Sequence, residues 1–130
     1  MKREEIREQT MQLIFQMDVQ GEFDYEKIIP IDENTKIISK DQAVATLTAI
    51  RDHIEEIDSV ITANLDNWTM DRVAKTDLAI LRNAVAEMLY IDSLPNGIAI
   101  NEAVNMAKKY GDVKSYTFVN SVLSKINKGL

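Results

Sequence analysis

The sequence predicts an all-α protein, a compact bundle of six or seven helices arranged as two packed three-helix lobes. Apolar residues recur at spacings of three and four through most of the chain, as in helices with one buried face, and no stretch alternates like a strand. No unit recurs at a fixed period, so the pattern does not indicate a solenoid. A chain of 130 residues fits a single domain. We expect one domain over residues 1–130, with lobes at about 1–67 and 68–130 that meet near Trp68.

The first predicted helix covers residues 3–19 and stops before Gly21, which can adopt a left-handed conformation. Its buried stripe consists of Ile6, Thr10, Leu13, Ile14 and Met17. Phe15 lies off this stripe, so we expect its ring to face outward. A short helix is predicted at about residues 25–29, before Pro30 and a polar run interrupt the chain.

The longest predicted helix begins after a cap at Ser39 or Asp41 and continues to about Asn67. Neither glycine nor proline interrupts it, so we expect an unbroken helix. Its outer face is acidic, with carboxylates at Asp52, Glu55, Glu56 and Asp58. Nothing in the pattern predicts burial of these groups, so we interpret them as a solvated surface and not as a catalytic acid–base pair.

Four further segments complete the predicted bundle. A short helical turn at residues 71–74 precedes a helix at residues 76–91, which the sequence Pro-Asn-Gly at residues 95–97 separates from the next. That next helix starts near residue 99 or 100 and stops at Gly111, where we expect a left-handed conformation. The last helix runs from about residue 115 to residue 129.

Composition excludes several classes of function. The chain has no cysteine and only one histidine, His53, which excludes thiol catalysis, zinc–thiolate sites and disulfides and leaves no set of metal ligands. We expect no metal and no cofactor. No apolar run approaches the length of a membrane span, and the N-terminus resembles a charged helix more than a signal peptide. The sequence therefore predicts a soluble, cytoplasmic protein.

The net charge of −6 is distributed unevenly along the chain. Residues 1–70 carry −8 and residues 71–130 carry +2, and the segment from Val104 onward has five lysines against one acidic residue. A local positive face is therefore compatible with an acidic protein, because screening limits the range of each charge to about 8 Å. A lysine-rich helix surface is also typical of a simple solvated face, so charge alone leaves both interpretations open.

The order of polar and apolar residues resembles the NusB family of bacterial transcription antitermination factors over essentially the whole chain. The matching positions are Arg7, Gln12, Leu13, Phe15, Trp68, Asp71, Arg72, Asp77, Ala79, Ile80, Leu81, Arg82, Ala84, Glu87, Pro95, residues 100–104, Ala107, Lys108, Gly111, Ser115, Phe118, Val119, Asn120 and Val122. The resemblance implies an all-helical fold without catalytic activity. It also implies binding of the boxA segment of nascent ribosomal RNA together with NusE, a small-subunit ribosomal protein, within the antitermination complex of RNA polymerase.

By this resemblance, six residues are candidates for RNA contact: Lys2, Arg3, Arg7, Lys114, Ser115 and Phe118. The three N-terminal cations suit phosphate contacts, and a solvated helix surface is the alternative for them. The other three open the last helix, where backbone amides and an aromatic ring could meet a phosphate and a base. Phe118 also continues the apolar stripe of its helix, so its exposure stays open at this point.

Two residues are candidates for contact with NusE by the same resemblance, namely Phe15 and Asp77. An outward aromatic is a typical interface anchor, whereas a carboxylate at a helix start also stabilises the helix dipole without any partner. Arg82 and Glu102 interrupt apolar faces of adjacent helices. We therefore predict a partly buried ion pair between them that fixes helix packing.

The chain departs from the family pattern at its N-terminus. Glu4, Glu5 and Glu8 balance the three cations there, so residues 1–8 sum to zero charge and we expect modest RNA affinity without NusE. Phe15 stands where tyrosine is more usual, and Ser121 where glycine is preferred.

A helical protein–protein assembly module that does not bind RNA is the alternative function. The sequence leaves open whether the free protein is a monomer or a homodimer that covers its RNA-binding face. A similar unit also occurs fused to ribosomal RNA cytosine methyltransferases, but the sequence shows no glycine-rich cofactor loop and no cysteine, so we do not expect methyltransferase activity.

Overall fold

The computed structural model describes residues 2–28 and 40–130, whose regular elements are all helices, with no strand among them. The all-α prediction is confirmed. The elements are α1 (Arg3–Gln20), α2 (Tyr25–Ile28), α3 (Asp41–Ala63), a 3-10 turn (Met70–Arg72), α4 (Lys75–Tyr90), α5 (Asn96–Tyr110) and α6 (Val113–Lys128). Within the described ranges, no helix has the length and apolar character needed to cross a membrane. The predicted interruption at Pro30 and cap at Ser39 lie outside the described residues.

The fourth helix is the centre of the fold. Every side chain of α4 from Asp77 to Met88 is buried, and the helix packs against α1, α3, α5 and α6. Its alanines at positions 79, 84 and 86 contribute little bulk, which suits close packing of neighbouring helices on several sides. One continuous buried cluster contains residues of all these helices. The division into two lobes near residue 67 stays a prediction, because α4 packs against helices on both sides of that point.

Two helices end where local hydrogen bonding stops them. Gly21 has φ 71°, as predicted for a left-handed stop, and its N–H donates to the carbonyls of Met17 and Asp18. The third helix ends at Ala63, earlier than the predicted Asn67. There the side-chain amide of Asn64 donates to the carbonyl of Val60 (2.8 Å), which satisfies one of the last free carbonyls of the helix.

The third helix also bends, and the prediction of an unbroken helix is wrong. His53 departs from helical geometry, with φ −133° and ψ 23°. At this kink the imidazole of His53 stacks on the ring of Tyr90 from α4, with centroids 4.1 Å apart. The single histidine of the chain therefore has a packing contact at the bend.

The turn between α5 and α6 differs from the predicted left-handed stop. Gly111 has φ −118° and ψ −158°, an extended conformation. A Cβ at this position would lie 2.5 Å from the side chain of Ser115 and 3.0 Å from the carbonyl oxygen of Ala107. Glycine is therefore suited to this position by the close approach of α6 and not by its left-handed freedom. Asp112 follows as the N-cap of α6, which begins two residues earlier than predicted.

Candidate nucleic-acid interface

The start of α6 and the start of α4 border one surface cleft, which we call the aromatic cleft. It is lined by Trp68, Arg72, Asp77, Asp112, Lys114, Ser115 and Phe118, together with the backbone turn that leads into α4. The structure thus brings together three of the predicted RNA residues, all from α6. It also places Asp77, predicted to contact NusE, beside them.

Two acidic residues line the aromatic cleft, and one of them caps the helix start. A carboxylate oxygen of Asp112 accepts a hydrogen bond from the backbone N–H of Ser115 (2.9 Å), and the bonds at this helix start lower the pKa of Asp112. The helix start is therefore already capped, so a phosphate would have to compete with Asp112 for this amide. Burial raises the pKa of Asp77, and the nearby charge of Asp112 acts in the same direction.

Two aromatic side chains expose faces at the cleft. Phe118 is half-buried and packs partly against the core, while it also lines the aromatic cleft. This answers the open question of its exposure, since the ring is neither fully buried nor free. Trp68 is 54 % exposed. Rings of this kind, next to cationic side chains, suit stacking of unpaired bases.

The predicted N-terminal contacts divide into exposed and buried residues. Lys2 and Arg3 are exposed at the start of α1. Arg7 is only 6 % exposed, and its Nε donates to a carboxylate oxygen of Glu87 on α4 (3.0 Å). The alternative of a solvated helix surface is therefore wrong for Arg7, because it pairs with an acid that is also buried. Burial raises the pKa of Glu87, and Arg7 opposes that shift. A role of Arg7 in RNA binding stays a prediction.

A surface cleft with several acidic residues lies over the buried Arg7, and we call it the N-terminal cleft. It is lined by Glu4, Arg7, Glu8, Glu102, Asn105, Met106 and Lys109. Lys109 donates to both carboxylate oxygens of Glu8 (2.9 Å each), which raises the pKa of Lys109. The hydroxyl of Tyr110 donates to Glu8 as well (3.0 Å). With three carboxylates against two cations, this cleft is poorly suited to a phosphate.

The two groups of predicted RNA residues therefore lie at different ends of α4. Arg7 contacts Glu87, whereas Lys114 shares a cleft with Asp77, ten residues earlier on the same helix. Ten residues of α-helix span about 15 Å. The predicted contacts thus form two clusters and not one continuous strip in a single cleft.

The predicted NusE residues lie in a connected region. Phe15 is half-buried, one turn after Gln12, which donates to Tyr110 at the end of α5 (3.4 Å), and one turn before Asp18. Asp18 in turn accepts from Lys75 at the start of α4 (3.3 Å), two residues before Asp77. The neighbours of Phe15 on α1 thus contact the end of α5 and the start of α4, while the ring of Phe15 packs partly against the core and is less outward than predicted. Contact of either residue with NusE stays a prediction.

The predicted ion pair between Arg82 and Glu102 is wrong. Arg82 is 4 % exposed, and its Nε and Nη2 donate to the two carboxylate oxygens of Asp58 on α3 (2.9 Å each). Its Nη1 lies 3.4 Å from a carboxylate oxygen of Asp18 on α1, so the guanidinium joins α4 to both helices. Glu102 lines the N-terminal cleft, where its charge contributes to the raised pKa of Glu87. The two residues therefore project from α4 and α5 toward different neighbours.

Comparison with known proteins identifies the family. A family model described as the NusB family matches residues 4–128. The chain belongs to the NusB family. It is 44 % identical to the transcription antitermination protein NusB of Geobacillus kaustophilus, over 100 % of this chain and 98 % of that relative. The resemblance seen in the sequence is thereby confirmed.

Solved structures of NusB proteins share the fold. A T. maritima NusB structure superposes with a TM-score of 0.81 at 28 % identity, over 98 % of this chain and 92 % of that one. A crystal structure of antitermination factors NusB and NusE in complex with double-stranded RNA gives a TM-score of 0.78 at 30 % identity, over 98 % and 97 % of the two chains.

Within this NusB-family fold, sequence reasoning missed two residues of the aromatic cleft as binding candidates. Both are positions of the family resemblance, and Trp68 is also the predicted junction between the lobes, but neither carries a predicted contact. A signal was present, since Trp68 belongs to no predicted apolar stripe and directly follows the predicted end of α3. Among the described residues, no group of three or more His, Asp or Glu side chains is arranged to hold a metal ion.

Proposed function

We propose that this protein is an RNA-binding transcription antitermination factor. Together with NusE it binds the boxA segment of nascent ribosomal RNA and helps to assemble the antitermination complex on RNA polymerase. The observation that carries this proposal is the aromatic cleft, where two partly exposed rings lie beside Arg72 and Lys114. Its support is the full-length similarity to NusB proteins, including the one solved with NusE and RNA. The role requires no bond to be made or broken, so the protein acts without catalysis.

The RNA contact divides between stacking and charge. The rings of Trp68 and Phe118 offer faces to unpaired bases, and stacking of this kind is tolerant of sequence. Arg72 and Lys114 are exposed at the same cleft, and neither forms an ion pair within the described part of the chain. Lys2 and Arg3 add exposed charge at the other cluster. Few cations are thus available, which supports modest affinity for RNA alone.

NusE supplies a second contact with the RNA in this proposal. Asp77, one of the two residues predicted to contact NusE, lines the aromatic cleft, so NusE bound at Asp77 would lie beside the RNA. If NusE and this protein each hold the RNA, their own interface makes the second contact effectively intramolecular and raises the apparent affinity. We place this assembly in the cytoplasm, where a factor that binds nascent RNA meets the transcribing polymerase.

A titration of fluorescently labelled boxA RNA, with and without NusE and at two salt concentrations, tests the proposal. Anisotropy should show weak binding that NusE strengthens. Three or four phosphate contacts to a single strand predict that log K falls with log salt with a slope of about −2 to −3. No RNA binding under either condition would contradict the proposal.

One observation favours the alternative of an assembly module without RNA. Arg7 is paired with Glu87 and Lys109 with Glu8, so both cations of the N-terminal cleft are already engaged. In that case NusE or a second copy of the chain would bind with the same affinity whether or not RNA is present. The titration above distinguishes the two functions, because only an RNA-binding factor gives an RNA-dependent signal.

A further inference from the structure

The single tryptophan of the chain is exposed although its surroundings are well packed. Trp68 is 54 % exposed, whereas Leu65 and Val73, on either side of it in the sequence, are 2 % and 8 % exposed. The segment is therefore anchored in the core without the indole. A large aromatic side chain left half in water adds little to folding, and such residues are typical of binding sites.

The segment that carries Trp68 is held from several sides. Asp66 adopts a left-handed conformation (φ 56°) and forms an ion pair with Lys125 of α6. The backbone N–H of Trp68 donates to the carbonyl of Leu65 (3.2 Å), and the 3-10 turn begins two residues later. The indole is thus presented from a braced turn, which limits the entropy lost when a ligand orders it.

Trp68 and Phe118 line two clefts at once. Besides the aromatic cleft, both residues line a neighbouring one, the loop cleft, together with Asn64, Asp66, Asn67, Ser121 and Lys125. Residues shared by two adjacent clefts form the wall between them. The two side chains therefore make a ridge with a cleft on each side.

We propose that Trp68 is an RNA-contacting residue and that, with Phe118, it forms a two-ring platform on which consecutive unpaired bases stack, one in each cleft. The proposal rests on the proposed function and deepens it. The phosphate backbone of a strand passing over the ridge would meet the exposed Arg72 and Lys114 in the aromatic cleft, whereas Lys125 in the loop cleft is paired with Asp66. The amides of Asn64 and Asn67 in the loop cleft can bond base edges.

This lining favours RNA over a protein partner at the ridge. A protein anchor generally enters a closed apolar pocket from which charge is excluded. Here the rings lie beside Arg72, Lys114 and two carboxylates in the aromatic cleft, and beside two amides and the Asp66–Lys125 pair in the loop cleft. That combination matches the needs of a single strand, which presents a flat base and a phosphate at every step.

Tryptophan emission and RNA affinity can be measured on the same protein. Because Trp68 is the only tryptophan, its emission reports the ridge alone. We expect labelled boxA RNA to quench this emission as anisotropy rises, in the presence and absence of NusE. Trp68→Ala should lose about 5- to 150-fold in RNA affinity, the range seen for loss of one stacked base. Trp68→Phe keeps a ring and should retain most of the affinity.

Ile98→Ala provides the matched control, because Ile98 is another large exposed apolar residue and lines neither cleft. Its RNA affinity should equal that of the wild type. Equal RNA affinity of Trp68→Ala and wild type, with no change in emission, would overturn the platform while the proposed function stands. Weaker NusE binding by Trp68→Ala without RNA would overturn it in favour of a protein contact. Failure of the wild type to bind RNA at all would remove the proposed function and the platform together.

Discussion

The two ends of α4 use charged residues in opposite ways. Near its C-terminal end, Glu87 and Arg7 are buried against each other, and the N-terminal cleft beside them has three carboxylates against two cations. Near its N-terminal end, Lys114 and Arg72 stay exposed beside Trp68 and Phe118. Each end has a basic residue that the family resemblance makes a candidate for RNA contact, Arg7 at one end and Lys114 at the other. The comparison teaches that a cation can serve binding only where the fold has not already given it a partner.

Removal of Arg7 gives the largest expected effect. Arg7→Ala leaves Glu87 as a buried charge without its partner, so we expect a loss of about 3–5 kcal/mol in the free energy of unfolding. Urea unfolding followed by circular dichroism measures it. The matched control is Arg3→Ala, four residues earlier on the same helix but exposed, which should stay within about 0.5 kcal/mol of wild type. Equal unfolding midpoints for the two variants would show that the pair does not support the fold.

Substitution of Phe118 tests the opposite end of α4. Phe118→Leu keeps apolar bulk against the core but removes the ring, so RNA binding should weaken by about 1–3 kcal/mol with little change in stability. Phe118→Tyr keeps the ring and serves as the control. If the leucine variant bound RNA as tightly as wild type, stacking at the aromatic cleft would be refuted.

Local patterns in the sequence predicted the extents of the helices better than the ion-pair partners of the buried charged residues. Periodicity and Gly21 gave the extent of α1 almost to the residue, since both depend on neighbours within one or two turns. The partner of Arg7 is 80 residues away, and no local signal identifies it. The same holds for Arg82, whose acids lie on α1 and α3. The burial of α4 on all sides was also hidden, because its buried polar residues make it look amphipathic.

The candidate site was predictable only where its residues are neighbours in the sequence. Lys114, Ser115 and Phe118 lie within five residues of one another, so one helix start brings them together. Asp112 fits the sequence pattern of an N-cap, yet it was not singled out. Trp68 reaches the site only through the packing of another part of the chain.

The pH dependence of stability should sharpen the contrast at Glu87. Burial raises the pKa of Glu87 in the folded protein, so the folded state holds its proton more tightly than the unfolded state. Stability contributed by this group therefore falls as the pH rises from its unfolded pKa through its folded pKa, and is recovered on acidification. We expect wild type to gain stability relative to Glu87→Gln as the pH is lowered toward the unfolded value. Urea midpoints of both proteins across that range would show parallel curves if burial had no such effect.

The central claim is that exposed cations at the aromatic cleft bind RNA and that cations paired within the fold do not. The most direct test compares two lysines five residues apart. Lys114 is exposed at the aromatic cleft, whereas Lys109 is paired with Glu8. Both substitutions to glutamine change the net charge equally, so a general electrostatic effect would act on both. The salt dependence of boxA RNA binding, measured by anisotropy, should flatten by about 0.7 in slope for Lys114→Gln and stay unchanged for Lys109→Gln. A flattened slope for Lys109→Gln with an unchanged slope for Lys114→Gln would contradict the account.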